Sequence, residues 1–182
     1  MKPSRAALAI TGACCASLLA CPLSSGPKPA KHELQGSLVE YMRFGYDEAR
    51  YEQSQGSSDF AIVFVRYRGE DPDGGTPAGE DVPLKVTVRA SLLSPTELET
   101  LDFDLARDAG NTGADQLGQL SRNVLNDPRR AFTTIQRGGV KMARLPVAPG
   151  ETTTGSFHVT FDPGIDFSSG RTLFGDFTAA VP

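Results

Sequence analysis

The chain has 182 residues, of which 39% are hydrophobic, and its formal net charge is −4 at pH 7. This mildly acidic balance gives no general attraction for nucleic acid or for anionic lipid, so neither is expected as a partner through charge alone. The length suits one domain together with short flanking segments.

The first 20 residues have the pattern of a secretory signal peptide. Lys2 and Arg5 precede a run of small and apolar residues at positions 6–20. At about 15 residues this run is shorter than the roughly 20 that a membrane-spanning helix needs. A short basic start followed by such an apolar run is typical of a leader that is cleaved after export. We therefore expect residues 1–20 to be a signal peptide.

The apolar run ends in Leu18-Leu19-Ala20-Cys21, which resembles the lipobox of bacterial lipoproteins. The resemblance implies cleavage before Cys21, a diacylglycerol on its thiol and acylation of the new amino group. Leu19 is larger than the usual residue at its place, and the alternative is that Cys21 merely lies near an ordinary cleavage point. Cys14 and Cys15 also lie in the leader and no cysteine follows Cys21, so a disulfide partner is missing. We identify Cys21 as the lipidation site.

Residues 21–31 are predicted to form the lipidated cysteine and a flexible tether. The stretch is rich in Pro, Ser and Lys and has a single Leu, so it has no apolar face to bury. A Pro-rich segment of this length spans up to roughly 30 Å. Without Lys2 and Arg5, the remaining 16 basic residues face 22 acidic ones, which gives the mature chain a net charge of −6.

Beyond the tether, the hydrophobic pattern has a period of two, which is typical of strands with one buried face. Residues 60–65 are apolar at every position and predict a central strand. The clearest alternating stretches are 84–92, 157–161 and 173–181, and weaker ones are 34–41, 46–53, 101–105 and 140–145. Glycine- and proline-rich turns separate them.

Two stretches favour helices. Ser94-Pro95-Thr96-Glu97 is a capping box with proline at the first helical position. Leu117, Leu120, Val124 and Leu125 recur at helical spacing. We therefore predict an all-β fold: an antiparallel β-sandwich, immunoglobulin-like in general architecture, with about eight strands and one or two short helices, formed by a single domain at residues 32–182.

The sequence offers no catalytic, cofactor-binding or metal-ligating set of residues. His32 and His158 are its two histidines, whereas a zinc site needs three or four His, Cys or carboxylate ligands. The serines lack the surroundings of a nucleophile elbow, and no phosphate-binding loop is present. The acidic loop at residues 70–81 contains Asp71, Asp73, Glu80 and Asp81, but its spacing does not match an EF-hand, so a solvated turn is favoured over a calcium site.

Two further features of the sequence each have a structural and a binding interpretation. Residues 69–104 have a net charge of −7 and residues 118–145 a net charge of +5; these segments either neutralise one another or steer a charged partner. Tyr41, Tyr46 and Tyr51 lie close in sequence, either as an aromatic surface for a glycan or as core residues.

These patterns favour a non-enzymatic, membrane-anchored envelope lipoprotein that serves as a protein-interaction or structural module, with a possible envelope protein as its partner and no cofactor. The alternative is a binding module for a polysaccharide or small ligand. An enzyme would have to rely on carboxylates, and no spacing indicates a specific pair. Because Pro22 and not Asp follows Cys21, the lipoprotein resemblance favours the outer membrane over the inner one.

Overall fold

Strands dominate the architecture. The computed structural model describes residues 29–69, 79–108 and 116–182. Within these ranges one short α-helix, α1 (Pro95–Thr100), accompanies two 3₁₀ turns at Ser37–Glu40 and Ala90–Leu92. The strands are β1 (His32–Glu33), β2 (Gly45–Tyr46), β3 (Glu48–Gln53), β4 (Phe60–Arg68), β5 (Gly79–Val88), β6 (Asp102–Asp104), β7 (Gly118–Asn123), β8 (Ile135–Met142), β9 (Thr152–Phe161) and β10 (Thr172–Ala180).

Eight of these strands form one mixed sheet. Its order is β6-β8-β9-β10-β3-β4-β5-β7, while β1 and β2 form a separate two-stranded sheet. Every neighbouring pair is antiparallel except β10 and β3, which run parallel. The mostly β prediction is confirmed, whereas a purely antiparallel sheet is not what forms. A period-two pattern identifies strands but carries no information on the direction of their partners.

The central-strand prediction for residues 60–65 is confirmed. β4 lies between β3 and β5, and all six of these residues are buried. Phe60, Ile62 and Phe64 point into the main core. Ala61 and Val63 join a smaller cluster on the opposite face. A strand buried on both faces needs apolar residues at every position, and the sequence supplies them.

The main core is aromatic and joins both halves of the sheet. Phe64 of β4 contacts Phe157 of β9, with ring centroids 5.6 Å apart. Phe60 of β4 meets Phe103 of β6 at 5.5 Å, edge to face. Burying each such ring stabilises the fold by about 1.5–3 kcal/mol. The inward-facing residues of one half of the sheet (β6, β8, β9 and β10) therefore pack against those of the other half (β3, β4, β5 and β7). These are called the two half-sheets below.

Residues 34–41 differ from the predicted strand. Leu34 and Leu38 are buried, but a 3₁₀ turn replaces the strand from Ser37 onward. Gly36 has a φ of 121°, and a Cβ there would lie 2.3 Å from the carbonyl oxygen of Thr172. The chain bends at this glycine because only a residue without a side chain approaches β10 so closely.

Of the two helix predictions, the structure confirms one. Ser94 caps the start of α1: its hydroxyl accepts the Glu97 N–H at 3.3 Å while the Glu97 carboxylate accepts the Ser94 N–H at 2.8 Å. The helix predicted from Leu117 to Leu125 is wrong, because this stretch contains strand β7. Its inward residues are Gly118, Leu120 and Arg122, all buried. A glycine and an arginine on the buried face conceal the period of two.

Candidate binding groove

The eight-stranded sheet opens between β10 and β3. Their parallel pairing covers only Ala179 with Ala49 and Ala180 with Arg50. Farther back along β10, Phe174 exchanges two backbone hydrogen bonds with Gln35, each 2.9 Å long. Between these two points, the described residues of β1, β2 and β3 form no strand pairing with β10. A gap therefore interrupts the middle of the sheet.

Two backbone donors of β10 face this gap. Alternate residues of a strand direct their N–H groups to the same edge. The N–H groups of Asp176 and Thr178 therefore point to the edge on which the Phe174 N–H donates to Gln35. Among the described residues, neither has a strand partner on this edge, because β10 is paired there only at Phe174 and from Ala179 onward. The edge is therefore open to an incoming acceptor.

The gap widens into a groove of about 800 Å³, here called the β10 groove. A second recess of about 510 Å³ continues it along β10 and shares His32, Tyr46, Ser156 and Asp176 with it. The β1–β2 ribbon and the start of β3 form one wall, and β8, β9 and β10 form the other. The main recess is lined by His32, Tyr46, Asp47, Glu48, Ala49, Lys141, Met142, Ala143, Thr154, Gly155, Ser156, Asp176, Phe177 and Thr178.

Tyr46 connects the two walls. Its ring packs edge to face on Phe64 at 4.9 Å and lies 5.2 Å from the ring of His32. Its hydroxyl donates to the backbone oxygen of Asp176 at 3.2 Å. Burial raises the pKa of the Tyr46 phenol, and the negative charge of Asp176 raises it further. The phenol is thus a neutral donor that holds the groove at a fixed width.

Asp47 places a carboxylate in the groove lining although it is only 8% exposed. Oδ2 accepts the backbone N–H of Tyr67 at 2.9 Å. Oδ1 is buried and has no hydrogen-bond partner among the described residues. Buried polar atoms are normally paired, so an unpaired carboxylate oxygen beside an open groove indicates a place for a ligand.

The remaining charges leave the groove acidic. Glu48 pairs with Arg50, and Lys141, which lines the groove, lies 3.7 Å from Asp102, which does not. Burial acts to raise the pKa of Glu48, but hydrogen bonds from Arg50 and Tyr67 lower it below its ordinary value. The exposed carboxylate of Asp176 makes no ion pair with a described residue. Asp47 and Asp176 are therefore two carboxylates of the groove that form no ion pair with a described residue.

The three tyrosines singled out in the sequence do not form one surface. Tyr41 is 56% exposed, and the guanidinium of Arg171 lies 3.7 Å from its ring centroid. Tyr51 is buried and stacks on Phe60 at 5.3 Å. Of the three, only Tyr46 lines the β10 groove.

Much of the basic segment at 118–145 is engaged within the fold. Arg122 is buried and pairs with Asp127 at 2.9 Å, and Arg129 binds the same carboxylate at 2.8 Å. Arg144 donates to the backbone oxygen of Thr152 at 2.7 Å. Within the part of both segments that the structure describes, one ion pair, Lys141 with Asp102, joins the basic segment to the acidic one.

The other predicted site residues are placed as follows. Cys21 and residues 70–78 of the acidic loop lie outside the described residues. Glu80 pairs with Arg50, and Asp81 pairs with Arg68 at 3.4 Å and accepts the Leu125 N–H. His32 borders the groove, and His158 is exposed on β9. Across the described ranges, no group of three or more His, Cys, Asp or Glu side chains is placed to hold a metal ion.

Asp47 and Asp176 are the residues that the sequence did not single out. Each is a single acidic residue in a strand-like stretch, so its local sequence does not mark it as part of a site. Residue 47 is also 129 positions away from residue 176 in the sequence. Only the strand order brings them to the same groove.

Comparison of the chain with models of protein families, with curated proteins and with solved structures finds no match. None of the helices in the described ranges has the length and apolar character to cross a bilayer.

Proposed function

We propose that the protein is a lipid-anchored lipoprotein of the bacterial envelope. The support is the Leu18-Leu19-Ala20-Cys21 motif after a basic and apolar leader, followed by a stretch suited to a tether. Cys21 carries the lipid, which anchors the chain to a membrane when two or three acyl chains are attached. The residue after it, Pro22, favours the outer membrane over the inner one.

The anchor is tested by mass spectrometry of the N-terminal peptide from the membrane fraction. The expected product begins at Cys21 and carries a diacylglyceryl group. In a Cys21→Ala variant the precursor stays uncleaved or the product leaves the membrane. An unmodified mature chain that begins at another residue would refute the anchor, and exclusive recovery with the inner membrane would refute the location.

The folded part is proposed to be a sandwich-like, non-enzymatic module that binds another envelope protein. The aromatic contacts between the two half-sheets support two packed layers. The observation that carries the binding role is the β10 groove, where an open strand edge meets an unpaired buried carboxylate. An elongated groove along a strand suits a segment of a partner chain.

A small ligand or a sugar is the second candidate for the same groove. Its volume of about 800 Å³ falls within the range of roughly 300–1,000 Å³ that is usual for ligand pockets. Tyr46 and Phe177 would supply the aromatic contacts. The absence of tryptophan makes a sugar less favoured than a protein segment.

Photo-crosslinking in intact cells separates these candidates. A photoreactive amino acid at Thr154, in the groove, is expected to give a discrete adduct with a second protein. The same amino acid at Thr100, exposed at the end of α1, is the matched control and should give none. The absence of any protein adduct from Thr154 would contradict the protein-binding role.

A further inference from the structure

We propose that the β10 groove binds an extended peptide segment that carries a basic side chain. The segment hydrogen-bonds to the N–H groups of Asp176 and Thr178, which lie on the stretch of β10 without a strand partner, and its cationic group lies beside Asp47 and Asp176. This inference deepens the proposed function, on which it rests, by specifying the chemistry of the partner.

The open edge supports the extended conformation. Two N–H donors that are two residues apart on one strand edge are spaced to meet alternate carbonyl groups of an added strand. The gap is bounded at one end by the Gln35–Phe174 pair and at the other by the Ala49–Ala179 pair. A short segment therefore fits between two places where β10 is already paired.

The charges support a basic side chain. Asp47 and Asp176 have no ion pair with a described residue, whereas Arg50 and Lys141 pair with Glu48 and Asp102, and the charge of Lys31 acts on Glu48. The buried carboxylate of Asp47 attracts a cation more strongly than it would in bulk water, and the exposed Asp176 adds a weaker, solvent-screened attraction. An acidic or neutral segment would leave the Asp47 carboxylate uncompensated.

Two pairs of variants test the two parts of this proposal. Thr178→Pro removes the backbone N–H, whereas Thr178→Val changes the side chain and keeps that donor. Thr178 has no strand partner on this edge, so the loss of its N–H removes no pairing of β10 with β3. Asp47→Asn removes the charge but keeps an oxygen for the Tyr67 N–H, and Glu99→Gln removes one charge from the exposed face of α1.

The probe is a phage-displayed library of random heptapeptides, selected on the protein purified from membranes in detergent. Enriched peptides are expected to share one basic residue, and calorimetry should show binding weakened about tenfold in Thr178→Pro and in Asp47→Asn. Thr178→Val and Glu99→Gln should bind within about twofold of the wild type. On addition of peptide, the amide resonances of Asp176 and Thr178 should shift in the wild-type protein, a readout that needs no variant to fold.

Three results would overturn the proposal: no enriched family, enrichment without a basic residue, or equal binding by all four variants. A protein adduct from Thr154 together with any of these results would retain the proposed function and reject only the basic, extended segment. Basic peptides that bind as predicted without any adduct in cells would reject the protein-binding role and retain the chemistry of the groove.

Discussion

Arg122 is a charged residue that is buried in the fold. Its side chain is 5% exposed and its guanidinium pairs with Asp127, over the ring of Phe44. Burial lowers the pKa of Arg122, and the charge of Asp127 opposes that effect. A buried guanidinium needs its partner, because an uncompensated buried charge is costly.

Asp127→Asn is therefore expected to lower the free energy of unfolding by about 3 kcal/mol. Denaturant titration followed by circular dichroism measures the change. Arg129→Ala removes the more exposed partner of the same carboxylate and should cost about 1 kcal/mol or less. Equal losses of unfolding free energy in the two variants would contradict this prediction, because the buried Arg122–Asp127 pair would then contribute no more than the exposed Arg129–Asp127 pair.

The same carboxylate predicts a pH dependence of stability. Hydrogen bonds from Arg129 lower the pKa of Asp127 to about 2, from an ordinary value of 3.8. A depressed folded-state pKa means that its stabilisation is present above pH 4 and is lost as the pH falls toward 2. The loss is on the order of 1 to 2 kcal/mol. Unfolding measured across this range should show a weaker acid dependence in Asp127→Asn, and an unchanged dependence would contradict the assignment.

At the scale of elements, β8 depends on a glycine. Gly138 has a φ of 138°, and a Cβ there would lie 2.1 Å from the backbone oxygen of His158. It follows the register shift between Ile135 and Arg137, where β8 bulges against β9. Glycine permits both the left-handed backbone and the close approach of the neighbouring strand.

Gly138→Ala is expected to destabilise the protein by about 2 to 3 kcal/mol. The control is Gly69→Ala, where a Cβ meets nothing within 4 Å and φ is not in the left-handed region. That change should stay within about 0.5 kcal/mol of the wild type. Thermal unfolding of the two variants is the measurement, and a smaller loss in Gly138→Ala than in Gly69→Ala would contradict the bulge argument.

Elements with a regular pattern could be predicted from the sequence. Residues 84–88 of β5 and 173–179 of β10 alternate, and residues 60–65 of β4 are apolar at every position, so burial and sequence agree there. β7 was missed because Arg122 points inward, an orientation that depends on Asp127 and is not visible in hydropathy. The turn at Ser37–Glu40 was missed because Gly36 is shaped by its approach to Thr172, far along the chain.

At the scale of the whole molecule, the groove could not be predicted. It depends on which strands are neighbours, and Tyr46 meets Asp176 across 130 residues of sequence. The parallel β10–β3 pair is similarly non-local, so no spacing in the sequence indicates it. The strand β1 that borders the groove directly follows the predicted tether at residues 21–31. A partner bound in the groove would therefore lie close to the start of the tether.

The most direct test of the central claim, an open edge within the sheet, is amide hydrogen exchange of the free protein by NMR. The N–H groups of Asp176 and Thr178 should exchange rapidly, whereas those of Gly175 and Phe177, which face β9, should be protected. Binding of a partner segment should then protect Asp176 and Thr178. Protection of all four amides in the free protein would contradict the account, because it would mean that β10 is paired on both edges and no edge is free to bind.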